Sequence, residues 1–229
     1  MNLSLLVILP LVTALAVLFA KAKQARVISL IGSVAQLLLA LFLLYRYQQV
    51  RGSGNTEPML FQTDITWYEA WRIHYHVGVD GISIAMILLT AVVVLAGVLV
   101  SWTTDQWKKE FHLLLLMLSL GAYGFFISLD LFTLFFFLET AVIPKFMLIG
   151  IWGSGKKEYS AMKLALMLMA GSALVFVGLM GLYFGTGSFD MMEIARAGIS
   201  SASQSYMFAF LFTGFGIFAA LFPFHTWVP

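Results

Sequence analysis

Apolar residues run along this chain in long blocks separated by short polar turns, and the blocks are too long for strands. Windows of about 20 apolar residues, the length that crosses a bilayer as a helix, can be drawn at Leu3 to Ala20, Val27 to Tyr45, Val79 to Trp102, His112 to Ser128, Leu131 to Trp152, Ala161 to Phe184 and Tyr206 to Phe222. A membrane barrel would alternate apolar and polar positions, whereas Leu113 to Met117 is continuous and Leu131 to Leu138 is interrupted only by Thr133. Each block is therefore predicted to satisfy its own backbone as a helix. The expected fold is all-α and integral to the membrane, with about seven transmembrane helices and the last one broken. Residues 1–77 are expected to form two peripheral helices and an outer loop, and residues 78–229 helices three to seven. The first block has neither a basic start nor a small-residue cleavage site, so it is read as a retained helix and not a signal peptide.

Composition sharpens this picture. The 229 residues are 61% hydrophobic and 10% charged, against roughly 25% charged in soluble domains, so lipid is the principal partner. A net charge of +2 gives no basis for nucleic-acid binding. With no cysteine, disulfides, thiolate-held iron–sulfur clusters and Cys nucleophiles are excluded. Lys21, Lys23, Arg26, Lys108, Lys109, Lys156 and Lys157 follow the odd-numbered blocks, against Arg46, Arg51, Arg72 and Arg196 after the even-numbered ones. That bias puts the first set in the cytoplasm and the N-terminus outside. The longest connection, Arg46 to Val77, carries glycines, Pro58 and the aromatic group Trp67, Tyr68 and Trp71. It reads as a surface loop without chemistry.

The informative residues are those that do not belong in hydrocarbon. Glu139 is the one acid inside an apolar block. An ionised carboxylate there costs on the order of 3 kcal/mol or more, so it either faces a wet interior near a cation or stays neutral, and both states make it a proton-site candidate. The bland alternative is a neutral Glu held by a hydrogen bond between helices. Pro144, five residues later, cannot donate to the Thr140 carbonyl and is expected to break the helix there. Lys145 lies six residues beyond Glu139, roughly 9 Å along the axis and on another face, so the two are no direct pair. Lys163 stands one turn into the sixth block, either facing the bundle or snorkelling to the headgroups. In the last block Pro223 and Pro229 bracket His225. That pattern suits a broken helix with an imidazole, the side chain that exchanges protons near neutral pH, or simply an interfacial helix end.

Several of these features occur together in one order. Val77 to Ser83 opens a helix that closes on Ser101 and Trp102; Phe137, Leu138 and Glu139 precede Ile143 and Pro144; Gly153 and Lys163 follow; and Phe222 to Pro229 ends the chain. In this the chain resembles the antiporter-like membrane subunits of respiratory complex I, above all the branch called chain M, or subunit 4 in mitochondria. The resemblance runs from Val77 onward; the first two blocks match only as apolar helices. It implies a proton-translocating subunit of the membrane arm of NADH:quinone oxidoreductase, built from inverted five-helix repeats, of which only the first is represented, the family continuing for about as many helices again. The implied proton-transfer residues are Glu139, Lys163 and His225, with Lys145 and Asp80 as auxiliary groups and Pro144 and Pro223 as helix breaks. No cofactor or metal is implied in this chain; flavin, iron–sulfur clusters and quinone would belong to partner subunits, alongside sibling antiporter-like chains and lipid. The implied location is a bacterial cytoplasmic membrane in preference to a mitochondrial inner membrane.

The sequence departs from that family at the seventh helix. Where the family usually carries a lysine paired with the buried glutamate, this chain has Phe218, and Ala220 replaces a frequent proline. Three other readings follow: a subunit of a Na⁺/H⁺ antiporter or membrane-bound hydrogenase, which use the same motifs; a non-pumping scaffold, favoured by Phe218; and a haem carrier, for which only His112 and His225 lie near helices.

Overall fold

The computed structural model describes residues 2–103 and 107–228; Pro229, the last residue of the terminal motif, lies outside them. Eight α-helices are found among the described residues: α1 (Leu5–Phe19), α2 (Ala22–Gly52), α3 (Gly81–Val100), α4 (Lys108–Ile127), α5 (Leu131–Trp152), α6 (Lys157–Thr186), the short α7 (Met191–Arg196) and α8 (Ser201–Phe218). Five helical segments, those built on α2 to α6, are long and apolar enough to cross a membrane. The first helix, at 15 residues, rises roughly 22 Å and falls short of a ~30 Å hydrocarbon core. The protein is an integral membrane protein in which the large side chains left exposed, such as Ile31, Val100, Leu166 and Phe184, are those a lipid environment accepts.

One expectation is overturned. The connection read as a featureless loop holds a hairpin, β1 (Leu60–Tyr68) paired with β2 (Ile73–Val79). A 3-10 turn, Glu69–Trp71, and Arg72 in the left-handed region, φ 48°, reverse the chain between them. The β-branched and aromatic residues of Ile65 to Tyr68 and Ile73 to Tyr75 favour a pleated surface, a signal hidden in a segment bounded by turn residues.

The chain divides into two compact units, residues 1–63 with 77–128 and residues 64–76 with 129–229. In the first, α1 packs on α2 and α4, and α3 on α2 and α4. Its core holds Ala14, Val17, Ala25 and Leu116, and Gly32 lets α2 meet Thr13 so closely that a Cβ there would fall 2.3 Å from the Thr13 methyl. Gln36, buried on α2, donates to the Leu6 carbonyl at 3.0 Å, a polar bond between helices of the kind that membrane bundles use. In the second unit α6 packs between α5 and α8. Helix α8 stops at Phe218, Ala220 turns through φ 55°, and a 3-10 turn, Phe224–Trp227, follows. Trp227 donates its indole N–H to the Ile217 carbonyl at 2.9 Å and ties the turn back to the helix.

Candidate functional site

The second unit places its half-buried acid, Glu139, on a helical hairpin. Helix α5 starts at Asp130, whose carboxylate accepts from the Thr133 amide at 2.9 Å and so caps the first turn. Helix α6 begins after the turn of Gly153 to Lys156, and Lys157 reaches back to donate to the Ile151 carbonyl at 2.8 Å, closing the end of α5. A tight turn of this kind pairs positions equidistant from its centre. Phe135 accordingly stacks near Phe176, ring centres 5.7 Å apart, and a Cβ on Gly150 would lie 3.5 Å from that of Ala161. The same register sets Glu139 against Ser172, with Ser172 Oγ 2.5 Å from Glu139 Oε1.

Ser172 Oγ also lies 2.9 Å from the Leu168 carbonyl of its own helix. A hydroxyl has one hydrogen and two lone pairs, which makes this pair of acceptors informative. When Glu139 is ionised, the Ser172 hydrogen turns to the carboxylate. When Glu139 is protonated, the acid donates to Oγ and the hydroxyl hydrogen returns to Leu168. One rotation thus gives the carboxyl a hydrogen-bond partner in both protonation states. Replacing Ser172 with Ala is expected to leave α6 intact and to take from Glu139 its hydrogen-bond partner, which a shift of the Glu139 carboxyl band in infrared spectra would register.

The other expected residues are not gathered around this carboxyl. Lys163 lies nine residues before Ser172, roughly 13 Å along α6 and half a turn around it, so the anticipated Glu139–Lys163 neighbourhood does not form. Lys145 and Lys163 are both half-buried and stand near one another in depth, on the side of Glu139 toward the α5–α6 turn. Asp80 belongs to the first unit and caps α3 by accepting from the Ser83 amide at 2.7 Å. His225 is exposed, its ring 5.7 Å from that of Phe222. Pro144 does not break its helix: α5 continues from Leu131 to Trp152 with Pro144 inside it. One missing N–H costs one rung, and in lipid the remaining ladder has no better partner. Pro223 lies beyond the end of α8 at Phe218 and directly before the 3-10 turn Phe224–Trp227.

Phe218 falls at an informative depth. Gly171 and Gly178 of α6 meet Ile217 and Leu211 of α8, a register that puts Phe218 within about half a turn of the level of Ser172. The position where the family resemblance expects a lysine is thus level with Glu139, and an aromatic ring occupies it. The serine is what sequence reading missed. Its only signal was its spacing, about as many turns of helix beyond the Gly153 to Lys156 turn as Glu139 lies before it.

A second polar group was missed in the same unit. The Leu129 amide donates to the His76 carbonyl at 2.8 Å, the Leu131 amide to Phe189 at 2.9 Å and the Met191 amide to Leu129 at 3.0 Å. These bonds bring together the end of β2, the start of α5 and the start of α7. Buried Phe189 anchors the junction, stacked on Tyr183 with centres 4.5 Å apart. His76 Nδ1 meets Asp190 Oδ2 in a short hydrogen bond, and His74 Nδ1 lies 2.8 Å from Asp64 Oδ1. Asp130, fully buried, also accepts from the His74 amide at 3.3 Å. Burial pushes its carboxyl above the ordinary carboxylate range, against the opposing pull of the Thr133 and His74 amide bonds.

That direction fixes a pH dependence. Below the ordinary carboxylate range folded and unfolded chains both hold the proton; as pH rises toward the raised value the unfolded chain releases it first, so stability is lost. Asp130→Asn keeps a cap without titrating, and wild type is expected to lose stability relative to it as pH rises through that window. Asp130→Ala removes the cap and lowers stability by about 1 kcal/mol. Thermal melts in detergent across pH check both.

Comparison with known proteins gives a consistent pattern. Residues 128–229 match the sequence profile of the family described as "NADH:quinone oxidoreductase/Mrp antiporter, TM". The chain is similar to the NAD(P)H-quinone oxidoreductase chain 4-2 of Synechocystis sp., 30% identical over 99% of this chain and 41% of that one. It is also similar to the F(420)H(2) dehydrogenase subunit M of Methanosarcina mazei, 30% identical over 99% and 47%. The backbone superposes on a chain of respiratory complex I from Thermus thermophilus with a TM-score of 0.85 at 22% identity, covering 99% of this chain and 46% of that one. The chain spans about half the length of the curated relatives it matches. The similarity also reaches through α1 and α2, which the motifs alone had left outside it.

Proposed function

From a chain whose residues 128–229 carry the transmembrane domain of the NADH:quinone oxidoreductase/Mrp antiporter family, and whose relatives are named chain 4 and subunit M, we propose a proton-translocating subunit of the membrane arm of an NADH:quinone oxidoreductase. In this reading the chain moves protons and carries no redox chemistry; flavin, iron–sulfur clusters and quinone lie in partner subunits. It sits in a bacterial cytoplasmic membrane with the N-terminus outside and packs against other membrane-arm subunits.

The observation that carries this reading is Glu139, eight residues inside a membrane helix and bonded to a hydroxyl able to serve both its protonation states. Protons reach it from the side of Lys163 and Lys145. A charge approaching or leaving the carboxyl changes its proton affinity. Moving one charge against ~150 mV costs about 3.5 kcal/mol, a cost that burial and one nearby charge can match. The driving change comes from redox chemistry elsewhere in the assembly. Phe218 favours a second reading, a scaffold that does not pump. Proton translocation by the assembled complex carrying Glu139→Gln decides between them: loss with assembly intact supports transport, and unchanged pumping supports the scaffold.

A further inference from the structure

The polar group at the other end of α5 has no place in that reading, and its arrangement is ordered. On β2, His74 and His76 are two residues apart and so share one face, about 6.7 Å from each other along the strand. Each is paired with a carboxylate, His74 with Asp64 across the hairpin and His76 with Asp190 at the start of α7. Exposure falls steadily inward. The side chains of Asp64 and His74 are 54% and 29% exposed, those of Asp190 and His76 are 15% and 11%, and Asp130 behind them is 0%. A cavity of about 290 Å³, lined by Asp64, Arg72, His74, Ser188, Asp190 and Glu193, opens onto the pairs.

A clamp between hairpin and helix needs only one such pair, buried and fixed. Two pairs in series, the outer wet and the inner nearly dry, make a ladder of groups that take up and release protons. Imidazole has two nitrogens and passes a proton on by gaining it at one and losing it at the other. Asp130, fully buried and with its carboxyl pushed by burial above the ordinary carboxylate range, stands at the inner end. It begins the helix that carries Glu139, nine residues or roughly 13 Å further on. Lys145 and Lys163 lie on the far side of Glu139, so the carboxyl stands between two sets of ionisable groups.

We propose that Asp64, His74, His76 and Asp190 form a proton-exchange station through which the path at Glu139 meets water on the hairpin side. The inference rests on the proton-translocation reading and adds the place of exchange. A proton from water binds the His74–Asp64 pair, passes to His76–Asp190 and on to Asp130, each hop breaking one N–H or O–H bond and forming another on the neighbour; release runs the same steps backwards. Arg72 and Glu193, the remaining charged residues at the cavity, set the local field and hold no proton in transit.

The test uses the assembled complex in sealed vesicles, with the pH varied on one side at a time. In wild type, the initial rate of proton translocation is expected to depend on hairpin-side pH. Asp190→Asn, which keeps an acceptor for the start of α7, and His76→Gln are each expected to lower translocation about a hundredfold, the low end for a lost acid–base group, and to flatten that dependence while electron transfer continues. His74→Gln, at the wetter pair, gives a smaller loss and guards against misfolding of the inner variants. A wild-type rate indifferent to hairpin-side pH overturns the station, as do assembled Asp190→Asn and His76→Gln complexes with the parent profile. Normal pumping by Glu139→Gln would instead remove the translocation reading itself.

Discussion

On the proton-translocation reading, Glu139→Gln is expected to leave the complex assembled and passing electrons but to abolish proton movement through this subunit. Glutamine matches the shape of glutamic acid and still accepts a hydrogen bond from Ser172, so the α5–α6 seam and its register are preserved. What it removes is the exchangeable proton. A positioned acid–base group contributes roughly 10²–10⁴-fold to proton transfer, so the flux through this path falls by at least that order. If sibling subunits pump in parallel, the observed ratio of protons to electrons drops by this subunit's share and does not reach zero. The measurement is the initial rate of acidification per electron in vesicles, beside a native gel for assembly. An unchanged ratio would leave Glu139 as an interhelical tie, the bland alternative for any acid inside a membrane helix. Ser172→Ala gives the complementary case, because it keeps the titrating group and removes its switching partner.

The second large effect concerns packing. Gly214→Ala on α8 puts a Cβ 2.6 Å from the Val175 methyl, 2.8 Å from the Val175 amide nitrogen and 2.9 Å from the Gly171 carbonyl oxygen. Two of these are backbone atoms, which cannot rotate aside. Helix α8 must therefore move off α6, at a cost of about 1–3 kcal/mol for overpacking; Gly214→Leu is expected to separate the helices and prevent assembly. Small residues let membrane helices approach closely enough for dispersion to hold them, since lipid gives them no hydrophobic drive to associate. Gly185→Ala is the matched control: its Cβ would meet only the Met207 methyl at 3.6 Å, and little loss is expected. Detergent melting temperatures separate the two. The consequence reaches the site, because Gly214 meets Gly171 and Val175, which flank Ser172 on α6, and a displaced α8 carries Phe218 away from that level.

Much of this architecture is readable in the chain because membrane helices announce themselves. The block from Leu131 to Trp152 coincides with α5, and Glu139 stands out within it since no other acid lies so deep. Where proline was over-read, at Pro144, the error came from treating a local rule as decisive in an environment that penalises every unpaired backbone group.

The amino-acid sequence by itself determined that the segments built on α2 to α6 are apolar enough to cross a membrane and that Glu139 lies inside one of them, because these follow from the hydropathy of neighbouring residues. Only the tertiary structure decided what those residues meet. A serine in an apolar helix carries no mark until an antiparallel register puts Ser172 against Glu139, and His76 acquires a carboxylate partner 114 positions away only when β2, α5 and α7 join ends. Contacts of that kind depend on the phase of one helix against another and on which chain ends converge, quantities set by packing many distant residues at once.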